Sequence, residues 1–528
     1  MKLINWIKTN PEKILITIIL LVAAFLRLYR IADYMTFLGD EGRDVLVVYN
    51  ILHGHLTLLG PTASVGGFFL GPIYYYFMAP FLWIFNYNPV GPAVMVAIIG
   101  ILTVFLIYKV GSELFNKKVG LIASLFYAIS PLVIAYSRSS WNPNPLPFFS
   151  LLTLYVVFKA VTKNKTLLFL VTGFLLGIAL QLHYLATFLG VIVAIYIFAT
   201  RIFFRINIVK ALKRLAEDYI SVFIGFLIGW SPFLAFEVRH GFLDFKSIFN
   251  FILHSGDTGG NGNFFFIVSD VFFRLFGRLT MAFPPSEQFF WFPKSVVSVW
   301  YWFVLALGVL SSALIIYKLF KSLKNKDSSF NIYSLFFLWL FFGVLLFGFY
   351  KKSIYDYYFT FMFPLPFFLL ANLLVFGYKV KNKVSKILKP AVVIVILIIA
   401  GLNLQGVPFR YEPNRQLNQM KTIADFVMTK TDAKPFNFAL VSGGNSDYAY
   451  RYFFTIWNHP PTTIEDFAHD PQRKTVTDQL LVVCESPLPC QPLGNSLWEI
   501  AGFGRAEIEG HWKVSVVEVY KLVHYKGK

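Results

Sequence analysis

ILITIILLVAAFLRLYRIADYMTFLGDEGRDVL, residues 14–46, decides how the rest of the chain is read. Its first half is the apolar run Ile14 to Leu28; its second half passes Arg30 and arrives at the adjacent carboxylates Asp40 and Glu41. Extended into its flanks towards the 20 or so residues that cross about 30 Å of hydrocarbon, such a run reads as a membrane helix. The acidic pair then falls where the chain leaves the membrane, and carboxylates there are costly unless they are paired or used. Lys2, Lys8 and Lys13 precede the run in the manner of a secretory signal, but no small-residue cleavage site follows before Arg27 and Arg30, so an uncleaved first helix is expected.

The same pattern recurs along the chain. Of 528 residues, 57% are apolar, 19% aromatic and only 14% charged. A soluble domain carries about 25% charged residues and has no means of hiding so much apolar surface. The formal charge of +19 would point to nucleic acid in a soluble protein. Here Lys and Arg gather in short loops between apolar runs, which is a topological signal, and no nucleic-acid partner is expected.

Eleven spans are expected: Ile14–Leu28, Val94–Tyr108, Val119–Tyr136, Leu146–Ala160, Leu167–Leu182, Leu185–Ala199, Ile220–Phe236, Val297–Tyr317, Ile332–Tyr350, Tyr357–Tyr378 and Ala391–Leu404. Phe68–Phe85, broken by Gly71, Pro72 and Pro80, reads as an interfacial or re-entrant piece rather than a span. With that choice 23 Lys and Arg residues fall in the loops on the N-terminal side, against about a dozen opposite. The expectation is a multi-pass protein of the cell membrane with a cytoplasmic N-terminus and long outer loops at about 29–93 and 237–296. Trp83, Trp291 and Trp300 fit an interfacial belt.

After residue 405 the composition becomes that of a soluble domain, 406–528, expected outside the membrane. Phe436–Val441 and Leu480–Val483 read as buried strands, Tyr448–Trp457 as a helix between them and Val514–Val523 as a late strand, together a small α/β unit. The only cysteines, Cys484 and Cys490, are a disulfide candidate in an oxidising compartment or a pair of free thiols. Further ligands for a metal are lacking around them.

Three motifs combine with this topology. Asp40-Glu41-x-Arg43 follows the first span, Gly71-Pro72-Ile73-Tyr74-Tyr75 lies in the first outer loop, and Tyr136-Ser137-Arg138 follows the third span. Together they resemble the C-type polyprenyl-phosphate-dependent glycosyltransferases, the protein O-mannosyltransferases and the aminoarabinose and Rgt-type transferases in particular. The likeness covers about Lys13 to Leu404. It implies transfer of a sugar from a polyprenyl-phosphate donor to a glycan, lipid or protein hydroxyl at the outer face, with inversion, Asp40 acting as general base beside Glu41. One carboxylate on the attacking side contributes about 10² to 10⁴ in rate, and cations must balance charge developing on the leaving phosphate. The cation candidates are Arg43, Arg138, Lys351 and Lys352, and His183 and Tyr358 join them as candidates for binding the donor phosphate or sugar; Lys351, Lys352 and Tyr358 lie in or beside a Tyr-rich segment before Pro364 and Pro366. Snorkelling into headgroups accounts equally for the lysines, and capping of a helix end accounts for His183.

Some relatives carry a further acid where this chain has Asn142 and Asn144. Amide oxygens are weaker ligands for a hard divalent cation, so transfer without a metal or other cofactor is expected. Glu237 and Asp257 border or lie in the second long loop without a distinguishing pattern. The alternative is a transporter or flippase of lipid-linked saccharides, but internal repeats and mid-membrane charge, the usual marks of transporters, are not evident.

Overall fold

The computed structural model describes residues 9–63, 66–203, 207–254, 263–350, 352–485 and 487–527. Six helices, Val90–Leu114, Leu146–Lys163, Tyr184–Ile202, Lys294–Asn325, Phe330–Phe349 and Ser385–Gln405, are each long and apolar enough to cross a membrane. Counted as one span each, two bent pairs bring the number among the described residues to eight: Ile208–Gly229 with Ser231–Arg239, turned by 70°, and Asp356–Met362 with Leu365–Tyr378, turned by 61°. The chain is therefore a multi-pass membrane protein. Each expected run falls on a helix, but three of the eleven do not qualify as spans by themselves. Pro11–Leu28 carries Glu12, Lys13 and Arg27, Lys117–Ile129 breaks at Ser130 before Pro131–Tyr136, and Thr166–Leu182 has 17 residues. Ile73–Ile84 is a helix of 12 residues, about 18 Å long at 1.5 Å per residue, too short to cross.

Small residues allow the membrane helices to close on one another. Gly173 and Gly177 on one helix face Gly225 and Gly229 on another, and a Cβ at any of the four would strike backbone of the opposite helix. Two small-xxx-small pairs packed together are how helices approach where lipid removes the hydrophobic drive. The break at Ser130 is held by Arg27, whose Nη1 donates to the Ala128 carbonyl at 3.0 Å.

The C-terminal region builds a four-stranded sheet in the order β1-β2-β4-β3. Strands β1 (Asn437–Val441) and β2 (Gln479–Cys484) are parallel, with the Tyr448–Ile456 helix between them in sequence; β3 (Ala506–Val514) and β4 (Val517–His524) form an antiparallel hairpin whose β4 pairs with β2. Because side chains alternate across a strand, the sheet serves two cores. Phe438, Leu440, Leu481, Val483, Val517 and Val519 continue the core of the membrane helices. Ala439, Val441, Leu480 and Val482 face Ile464, Ile500 and Phe503 in a separate cluster. Strand β3, missed in the sequence, is an edge strand whose residues are exposed or half-buried throughout, so it has no apolar face to read. Cys484 and Cys490 are joined as a disulfide, their Cα atoms 6.1 Å apart.

Candidate active site

Asp40 lies in the first turn of the Gly39–Leu52 helix, where a carboxylate is favourably placed against the backbone dipole. Its side chain is 55% exposed and accepts from Arg43 Nη1 at 3.0 Å. Arg43 turns its Nε and Nη2 onto Asp44 Oδ1 at 3.0 and 2.8 Å. Asp44 is fully buried, and Tyr75 Oη donates to the same oxygen at 3.3 Å. Burial pushes the Asp44 carboxyl up to about 6, against the pull of Arg43. Asp44 was not singled out in the sequence, although its spacing of four from Asp40 puts both on one helix face.

Glu41, expected beside Asp40 as a catalytic partner, is placed at the helix start. Its side chain is buried and folds back so that Oε2 accepts the Leu38 N–H at 3.0 Å, one of the unpaired donors of the helix start. Burial raises this carboxyl to about 7.

Arg138, expected at the donor phosphate, is enclosed beside the first helix. It is 1% exposed, its two Nη atoms donate to the carbonyls of Leu26 and Tyr29 at 2.8 Å each, and its guanidinium lies over the rings of Phe409 and Tyr34. It closes the C-terminal end of the first helix. His183 is buried, takes the Leu185 N–H on Nδ1 at 3.2 Å and stacks on Tyr184, which is the capped helix-end arrangement. Asn142 and Asn144 spend their amide nitrogens on the carbonyls of Leu182 and Ser139 at 2.7 and 2.8 Å.

Asp40 lines one of three neighbouring cavities that share wall residues. A small polar one is walled by Asp40, Arg43, Trp141, Asn142, His183, Tyr184 and Tyr357. It shares Leu70 and Tyr184 with an apolar cavity of about 530 Å³, where Lys352 and Tyr350 meet Phe68, Phe188, Trp230 and Phe349. It shares Tyr357 with a third cavity of about 1160 Å³, lined by aromatic rings and by Asp270, Arg274, Arg278, Glu287, Lys294 and Asp356. Tyr358 is buried in the aromatic cluster between these spaces, within 5.8 Å of the rings of His183, Tyr350 and Tyr357. Lys351 and Asp257 lie outside the described residues. Glu237 is fully buried and accepts the Asp244 and Phe245 N–H groups at 3.2 and 2.9 Å, starting the Leu243–His254 helix.

Arg274 and Arg278, one turn apart on the Phe264–Thr280 helix, were not anticipated. Both converge on Asp356: Arg274 Nη2 at 2.6 Å and Arg278 Nη2 at 2.9 Å. Arg274 also reaches Asp270 at 3.1 Å. The spacing of the two arginines was readable; their meeting with Asp356 depends on packing of distant segments. Among the described residues no group of three or more His, Cys, Asp or Glu is placed to hold a metal ion.

Residues 70–230 match the family model for dolichyl-phosphate-mannose-protein mannosyltransferase. Over 211 residues the chain is 25% identical to YkcB of Bacillus subtilis (strain 168), whose mannosyltransferase role is itself an assignment; the match covers 40% of this chain and 30% of YkcB, so the chain spans under a third of that relative. The structure of ArnT from Cupriavidus metallidurans bound to undecaprenyl phosphate superposes with a TM-score of 0.59 at 12% identity, covering 97% of this chain and 98% of ArnT. AglB, the archaeal oligosaccharyltransferase of Archaeoglobus fulgidus, solved with an inhibitory peptide and a dolichol-phosphate, gives 0.53 at 14% identity over 90% of this chain and 70% of AglB. Helical architecture, C-terminal sheet and near full-length agreement with ArnT coincide, and the chain shares the fold of ArnT and AglB.

Proposed function

We propose that the protein transfers a sugar from a polyprenyl-phosphate donor to an acceptor hydroxyl at the outer membrane surface, with inversion, and that Asp40 is the general base. The observation that carries this is the place of Asp40. Its exposed carboxylate walls a small polar pocket that shares Leu70 and Tyr184 with an apolar cavity and Tyr357 with an aromatic, charged cavity. The apolar cavity suits a prenyl chain. Lys352 at its lining, Arg43 beside Asp40, and Arg274 and Arg278 in the wall of the third cavity supply cations for a phosphate leaving as its bond to the anomeric carbon breaks. Asp40 takes the proton of the attacking hydroxyl as the new glycosidic bond forms.

On this reading the N-terminus is cytoplasmic and residues 406–528 stand outside, consistent with the charge of the loops. The reaction is read as metal-independent because amides, weaker ligands for a hard divalent cation than carboxylates, stand at 142 and 144. The test uses purified full-length protein, undecaprenyl phosphate carrying radiolabelled mannose, glucose or 4-amino-4-deoxyarabinose, and a cell-envelope extract as acceptor source. Label should pass from lipid to acceptor in the presence of chelator. Movement of intact lipid-linked sugar across vesicles without transfer would support the transporter instead, and transfer by Asp40→Asn at the wild-type rate would remove the base.

A further inference from the structure

We infer that Asn445, held by Glu485, is a positioning residue for Asp40, so that the C-terminal region completes the active site; this rests on the general-base reading above. Two early N–H groups open the Gly39–Leu52 helix. Leu38 N–H is taken by Glu41, within the helix itself. Gly39 N–H, the residue next to Asp40, donates to Asn445 Oδ1 at 2.9 Å, across 406 residues of sequence.

Asn445 is itself fixed. Its Nδ2 donates to Glu485 Oε1 and Oε2 at 3.2 and 2.9 Å, and Glu485 Oε1 also accepts from Tyr450 Oη at 2.7 Å. Only one orientation of the amide satisfies a donor at Gly39 and a carboxylate at Glu485 together. Ser442 Oγ donates to the Asn445 carbonyl at 2.6 Å and closes the loop. The approach depends on two glycines: a Cβ at Gly39 would strike Ser446, and one at Gly42 the backbone of Tyr448 and Ala449. The carboxylate of Asp40 is thus set by a helix turn whose outer donor is capped from another part of the chain, and displacement of a catalytic group by about 1 Å costs about 10² in rate.

The network permits a charge swap. Asn445→Asp keeps an acceptor for Gly39 but sets two carboxylates against each other, while Asn445→Asp with Glu485→Gln restores a donor facing an acceptor. With undecaprenyl-phosphate-linked sugar as donor, Asn445→Ala and Asn445→Asp should each lower kcat about tenfold with donor KM within about twofold of wild type. The double variant should return to within about threefold. Hydrogen exchange of the peptide spanning residues 38–42 should quicken in the single variants and recover in the double, with thermal unfolding confirming that each is folded. Full turnover by the Asp40→Asn control would take away the reading on which this rests. An inactive Asp40→Asn with wild-type turnover in Asn445→Ala, or a double variant no better than Asn445→Asp in both rate and exchange, would overturn the positioning role alone.

Discussion

Arg43 binds Asp44 through Nε and Nη2 at 3.0 and 2.8 Å and has only Nη1 left for Asp40. The buried Asp44 holds the guanidinium, and the guanidinium in turn orients the exposed Asp40. Removing the middle member therefore has a structural cost. Arg43→Ala should lower stability by about 3 kcal/mol or more, because it leaves the Asp44 carboxylate buried without its cation. Asp40→Asn should leave the unfolding midpoint within a few degrees of wild type, since an ion pair at a half-exposed group contributes at most about 1 kcal/mol. Denaturation of the two variants side by side checks this; equal stability loss in both would contradict it.

Glu41 gives a pH signature. Burial raises its carboxyl from an ordinary 4.5 to about 7. Such an acid holds more proton folded than unfolded, so the resulting stabilisation is present below about pH 4.5 and is lost as pH rises through 7, amounting to about 3 kcal/mol at most. Asp44, raised to about 6, adds a slope of the same sign. Glu41→Gln keeps an acceptor for Leu38 N–H but cannot titrate. Between pH 5 and 8 the wild type should lose thermal stability more steeply than the variant, and identical slopes would show that Glu41 titrates normally.

The sequence made some of this legible. The acidic pair could be read because carboxylates are scarce beside hydrocarbon, and the membrane runs because they are long and nearly free of charge. What each carboxylate does could not be read: Asp40 and Glu41 are adjacent, and only the helix start separates the exposed one from the one that folds back. The surroundings of Arg138 were hidden for a related reason. An arginine at a membrane boundary suits a phosphate or a helix end equally, and the choice rests on the unpaired carbonyls of Leu26 and Tyr29, more than a hundred residues away. Asn445 gave no local signal, because its partner Gly39 is brought to it by the packing of Tyr448–Ile456 against the Gly39–Leu52 helix.

Arg138→Ala should accordingly affect folding and spare donor recognition. The change leaves two carbonyls at the end of the first helix without donors and removes packing against Phe409, so a loss of about 2 to 4 kcal/mol is expected. Burial lowers this guanidinium to about 10, so it remains charged at neutral pH. Donor KM measured on the folded fraction should stay within about twofold of wild type. A large rise in KM at unchanged stability would return Arg138 to the phosphate.

The glycine faces offer a test of the membrane packing. Gly225 sits against the Leu170 carbonyl and Gly173 against the Val222 carbonyl, so neither contact can yield by a rotamer change. Gly225→Val should reduce the folded yield in detergent and lower thermal stability by at least the 1 to 3 kcal/mol typical of overpacking. Gly190→Val, with nothing within 4 Å of its Cβ position, should be near neutral.

The last prediction concerns Arg278, which among the described residues makes one ion pair, to Asp356 Oδ2 at 2.9 Å, where Arg274 pairs with both Asp270 and Asp356. If these arginines serve the donor phosphate, Arg278 is the one able to exchange its partner at least structural cost. Arg278→Ala should therefore raise donor KM about tenfold or more, as expected for loss of a charge-assisted bond worth about 1.5 to 3 kcal/mol, with little change in unfolding. Arg274→Ala should lower stability as well, because it also holds the Ile354 carbonyl at 2.9 Å and lies over the Phe359 ring. Arg278→Lys keeps the charge without the fork and should fall between. Titration with undecaprenyl phosphate alone separates binding from chemistry: weaker binding in Arg278→Ala supports the phosphate role. Unchanged binding with lower turnover would move the role of Arg278 to the acceptor side, and unchanged binding and turnover would leave the pair with Asp356 as a strut between the Phe264–Thr280 helix and the Tyr-rich segment.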